Sequence, residues 1–85
     1  MADDNTIYIG NKPFGAYMYS ITTLKRKGYK EVHIKARGKP MSTALIIANK
    51  SRDEGFEIGK IDVQNEKSEK DNRPVTSLSI DLKLK

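Results

Sequence analysis

Few side chains in this 85-residue chain could act as nucleophiles, acids, bases or metal ligands. There is no cysteine and one histidine, His33. That removes disulfides, thiolate metal sites and cysteine nucleophiles, and it excludes the multi-histidine zinc patterns. His33 has no second histidine or acid at catalytic or ligand spacing; Glu31, two residues away, is too little for a site. The acids Asp53, Glu54, Asp62, Glu66, Glu69 and Asp71 are scattered, so no paired-carboxylate metal site is legible and they read as charge balance. The expectation is a protein that is not an enzyme, with no cofactor, no metal and no small-molecule substrate.

The chemistry that is present is cationic. The formal net charge is +5 and the sequence pI about 9.5. Between residues 10 and 40 stand Lys12, Lys25, Arg26, Lys27, Lys30, Lys35, Arg37 and Lys39 against the single acid Glu31. The rest of the chain is slightly acidic. Any one lysine is ordinarily a solvated surface group, but clustering of one sign predicts a polyanion-binding face. Gly10-Asn11-Lys12-Pro13-Phe14-Gly15 lacks the Gly-Lys-Ser/Thr ending of a nucleotide-binding P-loop. Its lysine still sits beside a predicted helix start, where orphan amides favour a phosphate. Tyr8, Tyr17, Tyr19 and Tyr29 are candidates for stacking on unpaired bases, although Tyr17 fits an apolar helix face and reads as core. Arg73, at the end of a polar loop, is placed to enter a minor groove. The sequon Asn49-Lys50-Ser51 falls in a predicted helix and is set aside.

The elements that must position these residues follow from periodicity. Thr6 to Gly10 reads as a short strand. Pro13 opens a helix whose face is Phe14, Tyr17, Met18, Ile21 and Leu24, with Lys25, Arg26 and Lys27 in its last turn and Gly28 as its cap. Glu31 to Arg37 alternates, with Val32, Ile34 and Ala36 facing a core and His33, Lys35 and Arg37 facing away. Gly38-Lys39-Pro40 ends that strand, and Met41, Ala44, Leu45 and Ala48 mark a second helix. A third strand starts at Phe56; Ile58 and Ile61 are out of phase, which predicts a β-bulge across Gly59-Lys60. Glu66 to Pro74 has no apolar residue and reads as a long hairpin loop. Val75 to Leu84 is a last strand with Leu78, Ile80, Leu82 and Leu84 inward.

The order β-α-β-α-β-β predicts an α/β (α+β) two-layer sandwich, a four-stranded mixed sheet with two helices on one face. The first two strands should be parallel and the last two a hairpin. Residues 1–85 form a single domain. No apolar run approaches the roughly 18–20 residues of a membrane span, so no membrane partner is expected. The acidic start Met1-Ala2-Asp3-Asp4-Asn5 is unlike a secretory or transit signal, which points to the cytoplasm. Domains this small often gain burial by oligomerising.

In this frame Ile9-Gly10-Asn11-Lys12-Pro13 and Ile34-Lys35-Ala36-Arg37-Gly38-Lys39 become recognisable. The chain resembles the Alba family of archaeal nucleic-acid-binding chromatin proteins from about Thr6 to Leu84. The resemblance implies a chromosome-associated homodimer that binds and compacts double-stranded DNA with little sequence preference and also binds RNA. It implies nucleic-acid contacts at Asn11, Lys12, Lys35, Arg37 and Lys39, with Arg73 on a hairpin arm in the minor groove. It places Phe56 at a contact between dimers. The family usually has two adjacent lysines in the first loop; here Asn11 stands in the first position, so acetylation as placed on that lysine in some members would have to act through Lys12. Two alternatives remain open: an RNA-binding component or chaperone of a ribonucleoprotein, and a protein-interaction module for an acidic partner.

Overall fold

The alternation in the second strand organises the molecule. Val32, Ile34 and Ala36 are buried while Glu31, Lys35 and Arg37 on the other side are exposed. In the computed structural model, which describes residues 4–67 and 74–85 and only the backbone of Glu66, the elements are β1 (Thr6–Ile9), α1 (Phe14–Arg26), β2 (Glu31–Arg37), α2 (Met41–Ser51), a 3-10 turn (Arg52–Glu54), β3 (Phe56–Lys67) and β4 (Pro74–Leu84). The sheet order is β1-β2-β4-β3. β1 and β2 are parallel, and β4 runs antiparallel to both of its neighbours. This is the mixed four-stranded sheet with two helices that the periodicity predicts.

The register stacks the core in rows. Ile7 lies opposite Ile34 and Ile34 opposite Ile80; Ile9 lies opposite Ala36 and Ala36 opposite Leu78. Over this face pack Tyr17, Ile21 and Leu24 of α1 and Ala44, Ile47 and Ala48 of α2. Helix α1 starts after Pro13 and ends in paired backbone bonds, Gly28 N–H to Lys25 O at 3.1 Å and Tyr29 N–H to Leu24 O at 3.2 Å. Buried Ser51 in the last turn of α2 satisfies its hydroxyl by donating to Ile47 O at 2.7 Å.

The β-bulge is where the phase change predicts it. Ile58 pairs with Leu82 and Ile61 with Ile80, so β3 holds one residue more than β4 across Gly59-Lys60. A Cβ on Gly59 would lie 3.3 Å from the backbone oxygen of Asp81, a close approach that suits glycine.

Four expectations need correction. Phe14 opens α1 and is 40% exposed rather than core. Leu45 is exposed, and Ile47 takes the inward position. At both ends of the loop expected over Glu66–Pro74 the backbone ladder continues instead, with Glu66 opposite Val75 and Lys67 opposite Pro74 even where the side chains are polar; residues 68–73 lie outside the described residues. Phe56 is fully buried within the protomer's core, so its ring has no surface to offer a neighbouring dimer. Phe56→Ala should therefore destabilise the protomer itself by about 3–5 kcal/mol, read as a lower urea midpoint, before any change in assembly is seen.

Candidate nucleic-acid interface

Strand direction gathers the predicted contact residues. Because β1 and β2 are parallel, the loop after β1 and the loop after β2 leave the sheet at the same end. The last residue of β3 and the first of β4, Lys67 and Pro74, face each other at that end too. Asn11, Lys12, Arg37 and Lys39 are all exposed there, and Lys35 is exposed one step earlier on β2. Among the described residues, no carboxylate lies within salt-bridge distance of Lys12, Lys35 or Lys39. Arg73 lies outside the described residues.

Both loops are held in place by partners that sequence reasoning does not find. The Tyr17 ring is buried as predicted, but its hydroxyl does more than fill space. It accepts from Gly10 N–H at 2.7 Å and from Lys12 N–H at 3.0 Å, fixing the first loop from beneath. The second loop is tied to β4 by Gly38 N–H donating to Thr76 O at 2.9 Å. Gly38 adopts φ +71°, a left-handed conformation that glycine takes at no steric cost. Met41 N–H then returns to Gly38 O at 3.2 Å. The spacing of Tyr17 from Gly10 and Lys12 was available in the sequence, but the hydroxyl's reach depends on how α1 folds back over β1.

The structure also divides the basic segment. Lys25, Arg26, Lys27 and Lys30 follow α1 to the opposite end of the sheet, about 20 Å from the loop lysines at 1.5 Å per helical residue. There Lys25 Nζ donates to Glu54 O, and Leu84 N–H donates to Lys30 O at 2.7 Å. The single polyanion-binding face predicted for residues 10–40 is thus two clusters, because a helix separates its halves. His33, whose near acid in sequence is Glu31 two residues away, meets instead Asp81 across the β2–β4 pair, with Nδ1 and Oδ1 2.7 Å apart. Among the described residues no three His, Asp or Glu side chains could jointly hold a metal ion, and no helix is long and apolar enough to cross a membrane.

No family model matches the chain. A protein named DNA/RNA-binding protein Alba from Methanocella arvoryzae is 40% identical over a gapped alignment of 91 positions, covering 98% of this chain and 93% of that protein. Its namesake from Methanothrix thermoacetophila is 42% identical over a shorter match, 61% of this chain and 58% of its own length. Among solved structures, Alba from Thermoplasma volcanium superposes with a TM-score of 0.83 at 28% identity, covering 93% of this chain and 99% of that one.

Removing only the loop's anchor tests its role. Tyr17→Phe keeps the buried ring but leaves two backbone N–H groups without their acceptor. It should cost about 1–2 kcal/mol of stability by urea titration and speed hydrogen exchange at the Lys12 amide.

Proposed function

Since the chain belongs to the Alba family, we propose that it is a dimeric, non-enzymatic protein that binds double-stranded DNA through its phosphates, with little sequence preference, and also binds RNA. The observation that carries this reading is the convergence of Lys12, Arg37, Lys39 and the β3–β4 hairpin at one end of the sheet. The DNA/RNA-binding names of the relatives support it. The mechanism is electrostatic: each phosphate neutralised releases condensed counterions, so log K falls with log salt by about 0.9 per contact on duplex DNA. Such contacts fix position without reading sequence. Arg73 would extend this surface along the hairpin arm toward a minor groove.

Dimerisation is supported by apolar side chains that one copy leaves uncovered. Ile61 is 48% and Val63 58% exposed, although their partners Ile80 and Leu78 belong to the core. Leu45 and Ile46 of α2 are also about half exposed. Ile61 and Val63 stand on the helix-bearing side of the edge strand, so a second copy seated there would cover them. Pairing would double the loop cations on one assembly, and an assembly that occupies many phosphates would compact DNA in association with the chromosome.

Two measurements decide this reading. Lys12→Glu should weaken binding to unrelated duplex sequences equally and lower the salt slope by about one per protomer; an unchanged slope would remove Lys12 from the interface. Val63→Glu should convert a dimer to a monomer in light scattering. Competition between duplex DNA and structured RNA separates the chromatin role from that of a ribonucleoprotein component. Retention of a protein partner after nuclease treatment would favour the protein-interaction module instead.

A further inference from the structure

The sheet face away from the helices is not covered by any described element, and its side chains form ordered rows. Tyr8, Lys35, Ser79 and Asp62 lie side by side across all four strands, and Arg37, Ser77 and Gln64 form the next row. Between them is a shallow cavity of about 570 Å³, with Tyr8 at its β1 edge and Asp62 and Gln64 at its β3 edge. Tyr8 is 65% exposed. It is the one aromatic ring lining this cavity, beside a lysine and an arginine.

We propose that this open face is a second nucleic-acid site, one that stacks an unpaired base on Tyr8 and binds single-stranded RNA. Its composition argues against an apolar protein partner: apart from the Tyr8 ring, the outward groups are hydroxyls, an amide, two cations and a carboxylate. Charge divides the face along its width. Lys35 and Arg37 lie on β2, two residues apart, about 7 Å along the strand, a spacing that lets each take one phosphate of an extended backbone. Asp62, two strands away on β3, repels phosphate and keeps the backbone over β2. A base leaving that backbone toward β1 meets the Tyr8 ring, which accepts any base because every base has a π face. A 2′ position turned away from the base meets the hydroxyls of Ser77 and Ser79 on the adjacent strand β4. A ribose 2′-hydroxyl can donate to those acceptors and a deoxyribose cannot, and this selects RNA over single-stranded DNA.

The site does not depend on the duplex-binding reading. Its residues other than Lys35 and Arg37 are absent from the loop interface, and the apolar patch proposed for dimerisation is on the other side of the sheet, so pairing leaves this face open.

The test uses the full-length chain and a fluorescein-labelled, unstructured RNA of about ten nucleotides, a length within the usual footprint of such modules. Tyr8→Ala should weaken RNA binding roughly tenfold and leave duplex DNA binding unchanged. Tyr8→Phe should retain RNA binding, because the ring remains. Lys12→Glu should do the reverse, weakening duplex binding more than RNA binding; if it affects neither while Tyr8→Ala acts as stated, the duplex reading fails and this one stands. Equal losses for RNA and duplex in Tyr8→Ala, or no loss, would overturn the proposal. Single-stranded DNA of the same sequence binding as tightly would overturn the choice of RNA. Crosslinking of the unaltered protein to 4-thiouridine RNA supplies a readout independent of folding: adducts should map to Tyr8, and adducts confined to the two loops would sink the idea.

Discussion

The pairing of β2 with β4 is the constraint from which the other features derive. Val32, Ile34, Ile80 and Leu82 are wholly buried in this pair, and each sits directly across from another. A shift of β2 by one residue would turn Val32 and Ile34 toward solvent and bring His33 and Lys35 into the core, and a shift of β4 would do the same to Ile80 and Leu82. The energy at stake, about 1.5–3 kcal/mol for each fully buried aliphatic side chain, leaves one register. Once it is set, β1 can join only at the free edge of β2 and β3 only at the free edge of β4. The parallel approach of β1 then brings two loops to one end, and the pairing of β3 with β4 brings Lys67 and Pro74 to the same end.

Much of this was legible because it follows from local patterns. The two-residue alternation of Glu31–Arg37 and Leu78–Leu84 predicted both central strands, and the loss of phase after Ile58 predicted the bulge. What was not legible depends on distance in space. Leu45, Ile46 and Ile47 are a continuous apolar run, and only the direction in which α2 lies on the sheet selects Ile47 for the interior. His33 and Asp81 are 48 positions apart and meet through register alone. Tyr17 could be assigned to the core from spacing, but the use of its hydroxyl could not, since that required the folded loop. Family likeness assigns Phe56 a surface role, while its ring is fully buried in the protomer's core.

The distribution of charge illustrates how a linear count can mislead. Eight cations within thirty-one residues suggest one patch. Helix α1 carries four of them away from the other four, and the molecule is 41 Å long by about 25 Å across. At physiological ionic strength the screening length is about 8 Å, so the two groups act on their surroundings independently. The loop group alone has the hairpin beside it, while the other has Glu54, Glu57 and Glu31 nearby in the fold.

The extra residue at Gly59-Lys60 has a consequence for how this chain tolerates change in length. On either side of it, β3 shows the same face to α2 only because one position is skipped. Loss of one residue there would close the ladder with Ile58 and Ile61 still on their present face, whereas pairing both residues without a bulge would rotate the strand beyond by half a turn. Ile61 and Val63 would move to the side of Tyr8, and Asp62 and Gln64 to the side of the helices. The bulge thus works as a frame marker within the fold: with both residues present, the sequence beyond it is read on the correct side only while one of them stays unpaired.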